Sequence, residues 1–385
     1  MASPLLPTGR QVIPSPKEKG RYIKKGKLKR TKKIVSRNQL PLFWRGLGRG
    51  LLLFLLLWRG AGGEAHAQDI HYSQFNASPQ NLNPAQTGLF DGDWRFVGNF
   101  RSQWSVIPVP YRTLSLATDT RLKTKLENDV PAAGLLINTD KSGDSKFTTT
   151  QIFVSGSYIK KLNKDSTHFV SIGIQPGVTS KSFNVAALTF DNQYNGDTYD
   201  PNLPSGENFP KTRITYFDFG GGLAYLWRKN NRTLVNIGVS ALHLNRPKQS
   251  FFNNDQIKLD VKTSISGIAE FPVAAKLDIL PSVMYQRQGK FQETVLGVFG
   301  KYHLKPIDGM TTAVSLGGFY RMKDAFILVA NMDYKNFNVG VSYDINTSKL
   351  IAATNRRGGF EISVIYIFRK VKPFIAKKRV CPIYM

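Results

Sequence analysis

The chain has 385 residues with 33 Gly, 25 Phe, 15 Tyr, one Cys and a formal charge of +27. A single cysteine, Cys381, excludes an internal disulfide framework, and plentiful Gly and aromatics without a long amphipathic-helix pattern favour one large all-β unit over helical domains. The charge is uneven: residues 1–67 hold 15 of the 53 Lys and Arg against only Glu18 and Glu64, so half of the excess that suggests a polyanion partner sits in a preface.

That preface has the three-part plan of a secretory signal. Arg45 and Arg49 precede the apolar run Leu51–Leu57, and Ala65-His66-Ala67 follows as a small-x-small cleavage site that leaves Gln68 first. The basic run from Lys17 to Lys33 reads as an enlarged n-region rather than a nucleic-acid patch, because an export signal follows it. The apolar run is shorter than the ~20 residues a membrane-spanning helix needs, and nothing longer lies downstream.

From Gln68 to Asp93 the chain is polar and turn-rich, with Ser78-Pro79, Asn83-Pro84 and Asp91-Gly92; it reads as an ordered periplasmic or lumenal lead-in, since Pro79 and Pro84 cannot donate to a strand ladder. Strand-like alternation begins at Trp94, where Trp94, Phe96 and Phe100 oppose Arg95, Asn99 and Arg101. Further segments span Arg112–Leu122, Val130–Asn138, Phe147–Ile159, Thr167–Gly177, Ile214–Trp227, Thr233–Leu244 and Leu259–Phe271. The series continues through Lys276–Gln286, Gln292–His303, Thr312–Arg321 and Ala325–Tyr334, and closes with two segments between Phe337 and Phe368. In those last two, Phe337, Val339, Val341 and Tyr343, then Phe360, Ile362, Val364, Tyr366 and Phe368, take every second place against polar neighbours.

About fourteen such segments, most near the ~9–11 residues of a tilted membrane strand, predict an all-β transmembrane antiparallel barrel over 94–368. With a periplasmic N-terminus, the long connections Val178–Arg213 and Asn245–Lys258 lie outside the cell, as do Ser102–Tyr111, Thr139–Lys146 and Thr347–Gly358, while Lys229–Arg232 and Lys335–Asn336 are short periplasmic turns. Tyr158, Tyr225, Trp227, Tyr285, Tyr302, Tyr320, Tyr334, Tyr343 and Tyr366 near segment ends suit interfacial girdles. The competing fold is a secreted pair of β-sandwiches; charged positions such as Asp260, Lys262 and Glu270 opposite Leu259, Val261, Ile265 and Phe271 favour a barrel with a wet lumen.

Enzyme motifs are missing: there is no G-x-S-x-G elbow, phosphate loop, HExxH or cysteine cluster, and no cofactor is expected. Ser240 with His243 is the sort of pair an outer-membrane lipase uses, and also the sort that chance supplies. The loop from Asp191 to Asp200 has an EF-hand-like Asp191, Asn195 and Gly196, but Gln193 and Asn202 stand where ligand oxygens of a calcium loop belong.

The run SQFNASPQNLNPAQTGLFDGDWR (Ser73–Arg95), followed by NFRSQW (Asn99–Trp104), PYRTLSLATD (Pro110–Asp119), VGVSYDINTSKL (Val339–Leu350), RGGFEISVIY (Arg357–Tyr366) and a Cys-Pro near the terminus, resembles the PorP/SprF family of type IX secretion membrane proteins of Bacteroidetes. The resemblance departs in the first 45 or so residues and at the terminus, where Cys381-Pro382-Ile383-Tyr384-Met385 stands in place of Cys-Pro-Arg-Phe. It implies a non-enzymatic outer-membrane component of protein secretion and of gliding, with periplasmic and outer-membrane machine components, secreted substrates and outer-membrane lipid as partners, and no nucleic acid.

Candidate partner-binding residues are Asn83 and Pro84 in the lead-in and Gln103, Trp104 and Tyr111 around the first connection. The basic tail 369–385 adds Arg369, Lys370, Lys372, Lys377, Lys378 and Arg379, with Phe374 as an apolar anchor. A diffusion channel or small-solute transporter is the alternative function, since about fourteen strands can be open, plugged or filled.

Overall fold

A computed structural model describes residues 69–103, 110–124, 129–163, 165–307, 310–348 and 351–369. Fourteen antiparallel strands close into a barrel in sequence order, with β1 hydrogen-bonded to both β2 and β14. They are β1 (Trp94–Gln103), β2 (Tyr111–Arg121), β3 (Asp129–Ser142), β4 (Phe147–Lys161), β5 (His168–Ser182), β6 (Arg213–Asn230) and β7 (Thr233–Leu242). The second half is β8 (Lys262–Ala274), β9 (Leu277–Gln288), β10 (Phe291–Ile307), β11 (Met310–Arg321), β12 (Ala325–Tyr334), β13 (Phe337–Asn346) and β14 (Arg357–Phe368). Closure is continuous from Trp94↔Phe368 to Gln103↔Gly359, so no strand edge is left to hydrogen-bond with water or lipid. Among the described residues no helix is long and apolar enough to cross a membrane.

The wall is inverted relative to a water-soluble protein. On β1, Phe96 and Phe100 are 46% and 39% exposed whereas Arg95 and Arg101 are 7% and 2% exposed. Outward apolar residues continue around the circumference through Leu116, Ile152, Ile172, Leu223, Val239, Leu316, Val341 and Val364. A continuous apolar belt of this extent is tolerated only against lipid. The sandwich alternative fails here, because its apolar faces would be the buried ones.

Several boundaries differ from the alternation in the sequence. β3, β4, β5, β6 and β10 run to 14–18 residues, well past one membrane crossing, so Thr139–Ser142 and Val178–Ser182 are wall rather than loop. Leu259 precedes β8 instead of opening it: its amide bonds the Pro247 carbonyl and its side chain is buried under the 243–261 connection. Apolar alternation cannot distinguish a lipid-facing residue from a loop residue tucked beneath its own connection.

Candidate functional site

The polar inner face of the wall meets protein. From Asp69 to Asp93 the chain descends the lumen: the Asp69 amide donates to Gln288 Oε1 (3.2 Å) at the mouth with the long connections, and the Asp93 amide donates to the Phe368 carbonyl (2.9 Å) at the mouth with the short turns. Its middle portion is three single-turn elements, Phe75–Ala77, Pro79–Leu82 and Pro84–Gln86. Pro79 and Pro84 open the second and third, and the Asn83 side chain caps the third by accepting the Ala85 amide, so the segment stays helical only in short pieces and leaves backbone groups to be satisfied by the wall.

Three charged clusters hold this plug. At the long-loop mouth, His243 Nδ1 lies 2.7 Å from Asp218 Oδ2 and its Nε2 3.2 Å from Asp69 Oδ2, while Lys262 Nζ donates to the Ile70 carbonyl at 3.1 Å. Burial alone would lower the His243 pKa, but hydrogen bonds to Asp218 and Asp69 outweigh it and carry the group up to about 9. For Asp69, burial raises the pKa, and Lys262 and His243 more than reverse that, so the carboxyl stays ionised well below its ordinary range.

In the second cluster Asp344 Oδ2 accepts from Ser73 Oγ (2.7 Å), Arg101 Nη2 (3.1 Å) and Arg321 Nη1 (3.0 Å). Beside it, the Glu361 carboxylate receives the backbone amides of Ser73 (2.8 Å) and Gln74 (3.1 Å). The Gln74 side chain bonds Ser342 and Ser363. Toward the short-turn mouth, Arg95 forks onto Asp119 (2.9 and 2.7 Å), whose carboxylate also takes the Gly88 amide (2.6 Å); Arg121 donates to the carbonyls of Gly88 and Phe90.

Between the clusters the wall comes close enough to touch the plug backbone. Asn83 Nδ2 donates to the carbonyls of Leu223 and Val239, Ser240 donates to Leu82 and Ser171 to Ala85. Two wall glycines make the room: a Cβ at Gly222 would lie 2.0 Å from Asn83 Oδ1, and one at Gly173 2.5 Å from the Ala85 nitrogen. Apolar plug side chains fill the rest, Phe75 and Leu82 packing with Met284, Val295, Phe299, Phe319, Ile327 and Val329. Two voids at the Asp69 end have volumes of about 20 and 10 Å³, room for a water molecule at most.

Asn83 and Pro84 are therefore buried against the wall, where an outside partner has no access while the plug is seated. Gln103 and Tyr111 are register partners at the rim, Gln103 half-buried and Tyr111 exposed. Arg369 donates to the Asp91 carbonyl at 3.0 Å. Ala67, Gln68, Trp104, Lys370, Lys372, Phe374, Lys377, Lys378 and Arg379 lie outside the described residues.

The other sequence motifs resolve into structure. The Ser240 hydroxyl is spent on the plug and His243 on Asp218 and Asp69, so they form no catalytic pair. In the 191–200 loop, Asn195 Oδ1 accepts the amides of Asp197 and Thr198, a local turn on an exposed surface. Glu270, Asp278 and His303 present donor atoms within 4.8 Å of one another. Asp278 is already bonded to Arg232 and His303, and Lys301 pairs with Glu270, so this is an ion-pair network rather than an open ligand set.

The residues that seat the plug were visible as inward places in the alternation, Arg95 and Arg101 on β1, Asp344 on β13 and Glu361 on β14. What the alternation withheld was their partner, which comes from residues up to 289 positions away in sequence.

Fold and interior together define an integral membrane β-barrel whose lumen is filled by its own N-terminal segment. The chain belongs to the PorP/SprF family of type IX secretion system membrane proteins, whose family model matches residues 64–366. No curated protein matches it. Among solved structures it is distantly similar to the CymD monoaromatic hydrocarbon channel (12% identity over 80% of this chain and 96% of that one, TM-score 0.44). Comparable similarity is found to a Pseudomonas aeruginosa FadL homologue (11%, 74% and 93%, 0.40) and to the Pseudomonas putida toluene transporter TodX (9%, 77% and 93%, 0.40).

Proposed function

We propose that this protein is a non-enzymatic outer-membrane component of the type IX secretion machinery that docks periplasmic parts of the machine and helps place substrates at the surface, and that it is not itself the conduit. The observation that carries this reading is the filled lumen: residues 70–90 occupy it from one mouth to the other, and the voids beside them hold no more than water. A solute pore needs the continuous aqueous path that wider barrels keep. In this reading the long connections 183–212 and 243–261 face outward and the short turns face the periplasm. The tail beyond Arg369, with five Lys or Arg and no acid from Lys370 to Met385, then supplies a cationic arm for an acidic periplasmic surface.

Truncation after Lys370 tests the docking role, since it keeps all of β14. The shortened protein should insert and run as a heat-modifiable barrel yet lose co-purification with the secretion machinery from detergent extracts. Unchanged co-purification and secretion would remove the tail from the account.

A further inference from the structure

The outward face of the wall carries a row of cations just above its apolar belt. Strand register places Arg112 on β2 directly opposite Lys141 on β3, Lys141 opposite Thr148 on β4, Thr148 opposite Ser182 on β5, and Ser182 opposite Arg213 on β6. Their parity puts these side chains on the lipid side: Arg112 is two residues from Leu114, Lys141 four from Ile137 and Arg213 four from Phe217, all exposed outward. Arg112, Lys141 and Arg213 are themselves exposed.

Two like charges directly opposite on neighbouring strands repel, with Cβ atoms only ~4.5–5.5 Å apart. Among the described residues no carboxylate lies within ion-pair distance of Arg112, Lys141 or Arg213. The arrangement is unfavourable unless an anion from outside the chain completes it.

The height of the row says which anion. Along their own strands Arg112 stands one outward place past Leu114 and Lys141 two outward places past Ile137, so the pair lies just beyond the apolar wall, where hydrocarbon gives way to headgroups. Below them Leu114, Leu116, Ile137, Ile152 and Phe217 form apolar wall on which acyl chains can lie.

We propose that Arg112 and Lys141 form a site at the upper edge of the lipid-facing wall for the phosphate of an anionic membrane lipid, with Arg213, three strands along the same row, adding to the local positive field. Guanidinium and ammonium groups on adjacent strands suit a phosphate that accepts from both at once.

The test uses the purified full-length barrel in a maltoside detergent, with phosphatidylglycerol as probe, phosphatidylcholine as zwitterionic control and inorganic phosphate as the free anion. The readouts are the thermal midpoint and the lipid phosphorus retained after washing. Wild type should be stabilised by phosphatidylglycerol and should retain it. Lys141→Glu, which sets a carboxylate opposite Arg112, should be at least as stable as wild type in detergent alone and should bind phosphatidylglycerol roughly tenfold more weakly or worse. The double variant Arg112→Ser/Lys141→Ser should lose the lipid effect without losing stability in detergent. The proposal is overturned by equal phosphatidylglycerol retention in wild type and variants, or by equal stabilisation from phosphatidylcholine or inorganic phosphate. Variants that are less stable in detergent alone would also overturn it, since that is the mark of a merely structural role.

Discussion

The two faces of one strand live in different solvents, and β13 shows it residue by residue. Val341 meets lipid as a single side chain, replaceable by any apolar neighbour. Ser342, the next residue, is 4% exposed, and its hydroxyl accepts from Gln74 of the plug. Apolar alternation in the sequence specifies which face is polar, but a polar face can be covered by water or by more protein. Here it is covered by protein, which turns the inner face into a core built of hydrogen bonds and ion pairs.

The largest expected effect breaks that core. Asp344→Ala removes the carboxylate shared by Arg101, Arg321 and Ser73 and leaves two buried guanidiniums short of a partner, a loss of about 3–5 kcal/mol readable as a fall in the urea midpoint of the detergent-solubilised barrel. Retention of the wild-type midpoint would mean that the network contributes no net stability.

Next comes the direct contrast between faces. Val341→Arg or Val364→Arg places a charge in lipid and should cost ~2–4 kcal/mol near the midplane. A wet lumen would leave Ser342→Arg nearly free, whereas the filled lumen makes it an overpacking change of ~1–3 kcal/mol or more that also unseats Gln74. Folding yields in liposomes, measured side by side, separate the two cases.

A smaller effect is expected at the closest approach. In Gly222→Ala the new methyl meets Asn83 at a distance no real contact tolerates, so plug or wall must shift, at ~1–3 kcal/mol. Protease sensitivity around Asn83 should rise while the barrel stays heat-modifiable.

The smallest effect is electrostatic and sits at the long-loop mouth. The His243 pKa is raised in the folded protein to about 9, so its contribution is complete below its unfolded value of ~6.5 and is lost as pH rises through 9. Asp69 has the opposite sign: its pKa is lowered, so its contribution is present above the ordinary carboxylate range and fades only in acid. Amide protection at Ile70–Ser73, taken relative to the intrinsic base-catalysed rate, should therefore fall between pH 7 and 10, and His243→Gln should flatten that dependence.

How far the sequence alone reaches can be judged from the same residues. Every one of the fourteen strands lies where the alternation puts one, because lipid on one side and a polar interior on the other impose a strict period of two. Strand ends were less legible: Ser180 and Ser182 of β5 are polar and outward-facing above the apolar belt, which on paper is indistinguishable from loop. The plug was legible only as chain unsuited to a ladder. Its seat depends on Gly173, Gly222, Asp119, Asp344 and Glu361, contributed by five strands at unrelated sequence distances together with the plug's own backbone, and no local pattern records that they converge.

The central claim is that the chain closes its own lumen, and single-channel recording in planar bilayers tests it most directly. Intact protein should insert without steady conductance, and a variant lacking Gln68–Pro84 should show the long open events of an emptied barrel. Sustained pore-sized conductance from the intact protein, or none from the deletion variant once its insertion is verified, would contradict it.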